Sequence, residues 1–475
     1  MVSTRSAGPV RKDELTVAEA GPPRRSRHFA LAHPYAALAP TVDVALRAVR
    51  LEALLSDPYD AANPYGYACH APGADRTGTA AQRTSVEAAV LGEFVPAARG
   101  GRFTSADDLV RVLRPLLRRD LALGHAHGAR ALLAAQERAE PVPDRVGEFA
   151  ALLGPAALIA AAGTVLRGAV RTVAERGRTD PGVRQWRGPL AAAFADLLAC
   201  EALVAVGLRA TALPQGGGRA VRAAVGYAVP IVVGGVLDEL DLVLTECGRS
   251  ADGPERRMLA KLVADLPGAG CGPADVGAYQ SDLVRELPSL ARAFERRSDT
   301  TGAVLLRLGD AMPARSVPPA PEGDDTLVGV LTGAAARLST AVAGGEAVTA
   351  ALARAAGRLV SEQRALHGPC LAAAHAGRAD PAVRALADRQ SMLLLAAAVL
   401  GVQGAAAGRG LFLGGEHWSL LVLTRIAGRL GIGPGGPGGP GGPADIEARQ
   451  RVWAELDGRD RLGVDCDLYA TRVLW

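Results

Sequence analysis

The chain has 475 residues, of which 49% are hydrophobic but only 4% are aromatic, and its formal net charge at pH 7 is +4. The sequence has 53 basic and 49 acidic side chains. This near balance excludes the strongly basic surface of a typical nucleic-acid-binding protein. Alanine and leucine, which favour helix, supply most of the apolar content, and β-branched runs bounded by turns are rare. The composition therefore predicts an all-α fold.

The first part of the chain divides into a tail and two helical segments. Residues 1–30 are polar and rich in Pro, Arg and Ser, which predicts a disordered tail. Apolar residues recur at helical spacing over 31–140 and again over 141–298, so we expect an N-terminal helical domain and a helical bundle. Ser105, with Asp107 in the following turn, is predicted to cap one helix of the first domain.

The second part of the chain is predicted to add further helices. A Pro/Gly-rich, acidic linker over 299–325 precedes an extra helical domain over 326–432. The sequence GPGGPGGPGGP of residues 433–443 predicts a second linker, and 444–475 is expected to form one helix and a tail. Within the bundle, helices are expected over about 145–176, 186–210, 217–249, 254–265 and 273–297.

Three apolar runs raise the question of a membrane span: Ala150–Leu166, Ala223–Leu237 and Ser391–Val402. Each is shorter than the roughly 18 residues that a spanning helix needs, so no membrane span is predicted. The N-terminus has no apolar signal-peptide region, and the six cysteines form no C-x-x-C pair. These features predict a cytoplasmic protein with free thiols.

Several segments, in this order, resemble acyl-CoA dehydrogenases. Val95–Gly101 (VPAARGG) and a helical stretch ending in RRDLALGHAHG resemble the entry to that family's N-terminal helical domain. The segments AERGRTDPGVRQWRGPLAAAFADLLACEAL, YAVPIVVGGVLDELDLVLTECG and PERRMLAKLVADLP resemble successive helices of its C-terminal domain. The chain is similar to dehydrogenase-like proteins of actinomycete biosynthetic clusters, which also carry extra C-terminal helices and an ending like Asp467-Leu468-Tyr469.

The resemblance implies the family's N- and C-terminal helical domains, plus extra C-terminal helices, without the β-domain that normally lies between them. After Gly128 the sequence runs through Pro141 and Pro143 directly into the next predicted helix, with no predicted strands between them. The family's Thr-Glu-Pro-x-x-Gly-Ser-Asp and Trp-Ile-Thr-Asn segments have no counterpart, and its Arg-x-x-Phe-Gly loop is shortened to Glu175–Arg178.

The resemblance also implies four site residues. Glu148 lies slightly out of register with the position where some members carry the catalytic base, while the base motif of other members corresponds to Cys271-Gly272-Pro273. Arg176 and Arg178 are candidate contacts to a flavin pyrophosphate. Gln185 stands where a family glutamine faces the flavin of the neighbouring subunit. FAD is thus the expected cofactor if the chain holds any, and a chain without a cofactor is the other expectation.

Two main functions follow from the resemblance. The first is a degenerate or accessory subunit that acts with a full-length dehydrogenase or an acyl-thioester partner in a biosynthetic pathway. The second is a divergent FAD-dependent acyl-CoA or acyl-thioester dehydrogenase that catalyses α,β-desaturation. A binding role unrelated to either is the third alternative.

The resemblance further implies a homodimer or a heteromer with a full-length dehydrogenase, and acyl-CoA or acyl-carrier-protein thioesters as ligands. A large exposed apolar face usually marks an interface. The residues expected at or near the contact are Leu190, Phe194, Leu197, Tyr227 and Val232.

Other reactive residues are expected to have structural roles. No metal site is predicted, because His125 and His127 point to different faces of a helix. The acidic residues Asp238, Glu239 and Asp241 lack the Glu-x-x-His pairs of di-iron sites and are expected to form a solvated face.

Overall fold

A computed structural model describes the protein over ten ranges of residues: 42–67, 80–138, 146–213, 218–251, 253–296, 300–310, 327–342, 346–375, 380–432 and 441–475. They belong to one compact unit, residues 35–475. No β-strand occurs in these ranges, and the all-α prediction is confirmed for them. The predicted tail over 1–30 and residues 433–440 of the predicted Gly/Pro linker lie outside the described residues.

Sixteen α-helices fall within the described ranges: α1 Val42–Leu55, α2 Ala80–Phe94, α3 Ala106–Leu117, α4 Leu121–His125, α5 Ala131–Glu137, α6 Val146–Arg176, α7 Arg187–Ala210, α8 Arg219–Glu246, α9 Pro254–Asp265, α10 Pro273–Arg296, α11 Thr300–Leu306, α12 Val328–Ala341, α13 Ala347–Ala372, α14 Pro381–Ala406, α15 Glu416–Arg429 and α16 Pro443–Leu462. The helices of the bundle begin and end close to their predicted limits. Ser105 caps α3 as predicted, its Oγ accepting a hydrogen bond from the Asp108 amide at 3.1 Å. One short helix, α11, lies inside the predicted linker over 299–325.

Helix α7 lies at the centre of the apolar core. From Leu190 to Ala210 every residue of this helix is buried, as expected for a helix that is apolar on all sides. It packs against α6 and α8 of the bundle and also against α14, α15 and α16. The extra C-terminal helices therefore cover the same central helix as the bundle does.

Helix α6 makes a close contact with the turn that follows α9. A Cβ atom on Gly154 would lie 2.3 Å from the backbone oxygen of Ala269. Backbone cannot move aside as a flexible side chain can, so this crossing requires a residue without a side chain.

Replacement of Gly154 by alanine is expected to lower the free energy of unfolding by about 1–3 kcal/mol, because the methyl group overpacks the contact. The matched control is Gly234→Ala in α8, where the added Cβ meets no atom within 4 Å. There alanine is expected to stabilise the helix by about 0.5–1 kcal/mol through its higher helix propensity. Urea unfolding measures both, and a Gly154→Ala variant as stable as Gly234→Ala would contradict the close crossing.

The prediction of no membrane span is wrong by the criteria of length and composition. Four helical segments are long and apolar enough to cross a membrane: Val146–Arg176, Pro181–Ala210, Arg219–Glu246 and Pro381–Ala406. The sequence argument counted only the apolar runs themselves, whereas α6 and α8 extend beyond both ends of the runs Ala150–Leu166 and Ala223–Leu237. In each of the four segments, 72% to 100% of the most apolar 18-residue stretch is buried inside the protein.

The prediction that an apolar contact face is exposed is also wrong. Leu190, Phe194, Leu197, Tyr227 and Val232 are all buried within the single chain. The extra helices cover these residues, because the ring of Phe194 stacks on Phe412, which follows α14, with centroids 6.1 Å apart. Tyr227 donates a hydrogen bond to a side chain of α14, and its hydroxyl lies 2.5 Å from the acceptor oxygen. These residues belong to the core.

Candidate functional site

The predicted base, Glu148, lies in the first turn of α6. Its Oε2 accepts a hydrogen bond from Nη1 of Arg222 in α8 at 2.9 Å, and both side chains are partly buried. The carboxylate is therefore held in an ion pair between two helices of the bundle.

The three predicted flavin contacts share one exposed loop between α6 and α7. Arg176 is the last residue of α6, Arg178 lies in the following turn, and Gln185 lies in the short 3-10 helix Pro181–Trp186. The loop is fixed by Arg184, whose Nε donates to the backbone oxygen of the residue after Arg176 at 2.9 Å. The structure thus brings these three side chains to one surface.

Glu148 is far from that loop. It lies 28 residues before Arg176 on the continuous helix α6, which corresponds to about 42 Å at 1.5 Å per residue. A catalytic base must reach the α-carbon of a substrate that lies against the flavin ring, and this span is too long for one flavin to meet the base through its substrate and the loop through its pyrophosphate. Glu148 and the loop of one chain therefore cannot meet at one flavin, and the resemblance itself implies that Gln185 faces the flavin of a neighbouring subunit.

The other position at which the resemblance implied a base holds a buried thiol. Cys271 is 3% exposed, and burial, followed by the charge of Asp275, raises the pKa of its thiol to about 12. All five cysteines in the described ranges are free and buried. A thiol with such a high pKa stays protonated near neutral pH and is a poor nucleophile. Across the described ranges, no group of three or more His, Cys, Asp or Glu side chains is placed to hold a metal ion.

The strongest electrostatic feature is a buried ionic cluster, hereafter the tail cluster, which joins α3 and α7 to the C-terminal tail. Its centre is Arg114, which is 3% exposed. Its guanidinium meets Glu201 of α7 at 2.5 Å, Asp465 at 2.9 Å and Asp467 at 3.5 Å. One turn later, at the end of α3, the C-cap residue Arg118 pairs with Asp465 at 3.3 Å.

The tail is fixed to these helices by further hydrogen bonds. The Leu468 amide donates to Oε2 of Glu201 at 3.0 Å, and the Tyr469 hydroxyl donates to Asp107 at 2.8 Å. Nη1 of Arg459 in α16 donates to the backbone oxygen of Asp465 at 3.2 Å. Residues 464–470 of the tail are therefore an integral part of the core.

The charges of the tail cluster shift one another's pKa values. Burial raises the pKa of Glu201 to about 8; Arg114 opposes this rise, and Asp467 adds to it. Burial also disfavours the charged form of Asp465, but Arg114 and Arg118 outweigh it and hold the pKa of that carboxyl well below its usual range. The cluster thus contains one acid that keeps its proton near neutral pH and one that does not.

The raised pKa of Glu201 predicts that the protein loses stability with rising pH. The folded state holds this proton up to about pH 8, whereas the unfolded chain releases it near the ordinary value. The contribution of Glu201 to the free energy of unfolding is therefore fully present below the pKa that this residue has in the unfolded chain. It is lost as pH rises through the pKa of the folded state, at a slope of up to about 1.4 kcal/mol per pH unit.

Urea unfolding at pH 5.5, 7.0 and 8.5 measures this slope. Glu201→Gln is expected to reduce the slope because the amide does not titrate. The control Glu175→Gln, in an exposed pair with Arg249, is expected to keep it. A wild-type stability that stays constant or rises over this range would contradict the assignment.

The sequence reasoning noted Asp467-Leu468-Tyr469 only as a family-like ending and missed the tail cluster. A local signal was present, because Asp196 and Glu201 interrupt the otherwise apolar run of α7. Acids in the middle of such a run are rarely fully buried unless they are paired. No local pattern named their partners.

Comparison with known proteins gives no match to a family model, to a curated protein or to a solved structure.

Proposed function

We propose that the chain is an acyl-CoA dehydrogenase-like accessory subunit, which acts with a full-length dehydrogenase on an acyl thioester in a biosynthetic pathway. The supporting observation is the distance between the two halves of the expected site. Glu148 is paired at one end of α6, while Arg176, Arg178 and Gln185 lie together on an exposed loop at the other end. Such a loop can contact a flavin that a partner protein holds, without a base in the same chain.

The alternative is a divergent dehydrogenase that binds FAD itself. It would need a flavin shared between two copies of the chain, with Glu148 released from Arg222, because the loop lies about 42 Å from Glu148 along α6. The shortened loop also lacks the aromatic-glycine turn of the resemblance. Both points favour the accessory role, and the chain purified alone is expected to be colourless. A yellow preparation with stoichiometric flavin absorbance would favour the alternative.

The accessory role is tested by reconstitution with each full-length acyl-CoA dehydrogenase of the source genome. Turnover of acyl-CoA substrates with a dye acceptor is measured with and without this chain. We expect one dehydrogenase to gain at least about tenfold in turnover, which corresponds to about 1.4 kcal/mol of transition-state stabilisation.

The exposed loop supplies the variant for this experiment. The triple variant Arg176→Ala, Arg178→Ala, Gln185→Ala is expected to lose the gain and to keep the fold, because all three side chains are exposed. Arg219→Ala, at another exposed arginine, is the matched control and is expected to retain it. No gain with any dehydrogenase, or an equal gain with the triple variant, would contradict the proposal.

A further inference from the structure

A small cavity rich in arginine lies beside the tail cluster. It is lined by Tyr59, which follows α1, and by Arg119, which follows α3. Arg167 and Arg171 line it from successive turns of α6, and Trp475, the last residue of the sequence, also lines it. Its volume is about 20 Å³, enough for one water-sized group. Tyr59 and Trp475 are exposed, so they form the solvent end of the cavity, which we call the arginine pocket.

Arg119 brings a buried charge to this pocket that forms no close ion pair within the described ranges; Glu52 and Asp57 act on it only from a distance. The residue is 3% exposed. Its Nη1 donates to the backbone oxygen of Tyr65 at 3.3 Å, and its Nη2 donates to the backbone oxygen of Ser56. Both acceptors are neutral, and no carboxylate within the described ranges forms an ion pair with Arg119. An unpaired charge in the interior is costly, so this arrangement favours an anion nearby.

Arg167 and Arg171 share a single carboxylate. Nε of Arg167 lies 3.6 Å from Asp460, and Nε of Arg171 lies 2.9 Å from the same oxygen. Nη2 of Arg167 is buried and has no hydrogen-bond partner in the described chain, and the residue is 7% exposed. Arg171 also donates to the Tyr59 hydroxyl at 2.7 Å. The two guanidinium groups thus keep unused donors and one unbalanced positive charge.

The remaining arginine of the pocket does not restore the balance. Arg118 is neutralised by Glu52 and by Asp465, and Asp465 is already shared with Arg114. Four arginines and one carboxylate, Glu52, line the pocket. The pocket keeps an excess of positive charge in a largely desolvated place.

We propose that the arginine pocket binds the phosphate group of a small ligand. Arg119 and Arg167 reach it from different elements, so their donors approach from different directions, as a tetrahedral group requires and a planar carboxylate does not. The cavity holds one oxygen, and the partly exposed Arg171 meets the others at the solvent end. Tyr59 and Trp475 flank that end and offer aromatic faces to whatever the phosphate carries. This inference does not depend on the accessory role proposed above.

Titration calorimetry and thermal unfolding of the full chain test the proposal. Inorganic phosphate and adenosine monophosphate are the two probes, each compared with sodium chloride at the same ionic strength. We expect saturable binding and a rise in Tm that follows the phosphate concentration, because a ligand that binds only the folded state stabilises it. A tighter Kd for the monophosphate ester would identify a phosphate ester as the ligand, and equal values would identify free phosphate.

Two variants examine the pocket itself. Arg167→Met is expected to weaken phosphate binding at least tenfold, and Arg171→Gln, at the solvent end, is expected to weaken it several-fold without disturbing the interior. Arg222→Gln is the control, since it removes a partly buried arginine far from the pocket, and is expected to leave the Kd unchanged. A crystal structure at saturating phosphate is expected to show the anion against Arg119.

The proposal is overturned if phosphate gives no more stabilisation than chloride at the same ionic strength. It is also overturned if Arg171→Gln, folded as the wild type by circular dichroism, binds phosphate with the wild-type Kd. A crystal structure at saturating phosphate with only water in the pocket would equally contradict it.

Discussion

Replacement of Arg114 by methionine is expected to lower the free energy of unfolding by about 3–5 kcal/mol, the usual cost of removing one partner from a buried ion pair. The methionine side chain fills most of the apolar volume of the arginine stem, so the loss is mainly electrostatic. Glu201, Asp465 and Asp467 would then lie close together in the core without their central cation. Urea unfolding at pH 7 measures the loss.

Two further variants separate this effect from a general loss of packing. Arg461→Met removes an exposed arginine of α16 that pairs with Asp457 and is expected to cost under about 1 kcal/mol. Asp465→Asn added to Arg114→Met is expected to recover part of the loss, because it removes the carboxylate that stays charged in the folded protein. If Arg114→Met were as stable as Arg461→Met, the tail cluster would not stabilise the fold.

Replacement of Phe194 by aspartate is expected to abolish folding. The Phe194 side chain is fully buried in α7, stacked on Phe412 and lying 5.2 Å from the Arg459 guanidinium. Truncating a buried phenylalanine costs about 3–5 kcal/mol, and a carboxylate in the same place adds the cost of a buried charge. Together these effects approach the whole stability of a typical domain, about 5–15 kcal/mol.

Circular dichroism and size-exclusion chromatography measure the outcome. The control Leu242→Asp changes an exposed residue of α8 and is expected to leave the helical signal unchanged. Phe194→Ala is the milder variant, expected to fold with reduced stability. A folded Phe194→Asp protein with an altered oligomeric state would place Phe194 at a subunit contact and contradict its place in the core.

The amino-acid sequence was sufficient for the fold class and for most helix limits. Alanine- and leucine-rich periodicity predicted α6 to α10, and Ser105 identified the start of α3, because periodicity and capping depend on residues within one or two turns. The same local reasoning failed on the membrane spans, because it measured the apolar runs Ala150–Leu166 and Ala223–Leu237 and not the longer helices α6 and α8 that contain them.

The candidate sites depended on the tertiary structure. The resemblance gave Glu148 and the loop residues Arg176 and Gln185, and the predicted helix over about 145–176 already separated them, but the ion pair of Glu148 with Arg222 came only from the packing of α6 on α8. The tail cluster was not predictable, since Arg114 and Asp465 are 351 residues apart in the chain and no spacing rule connects them. Local hydrogen bonds and periodicity thus determined the helices. The partners of each buried charge were decided by packing, because an ion pair in the core forms only after distant segments have excluded water between them.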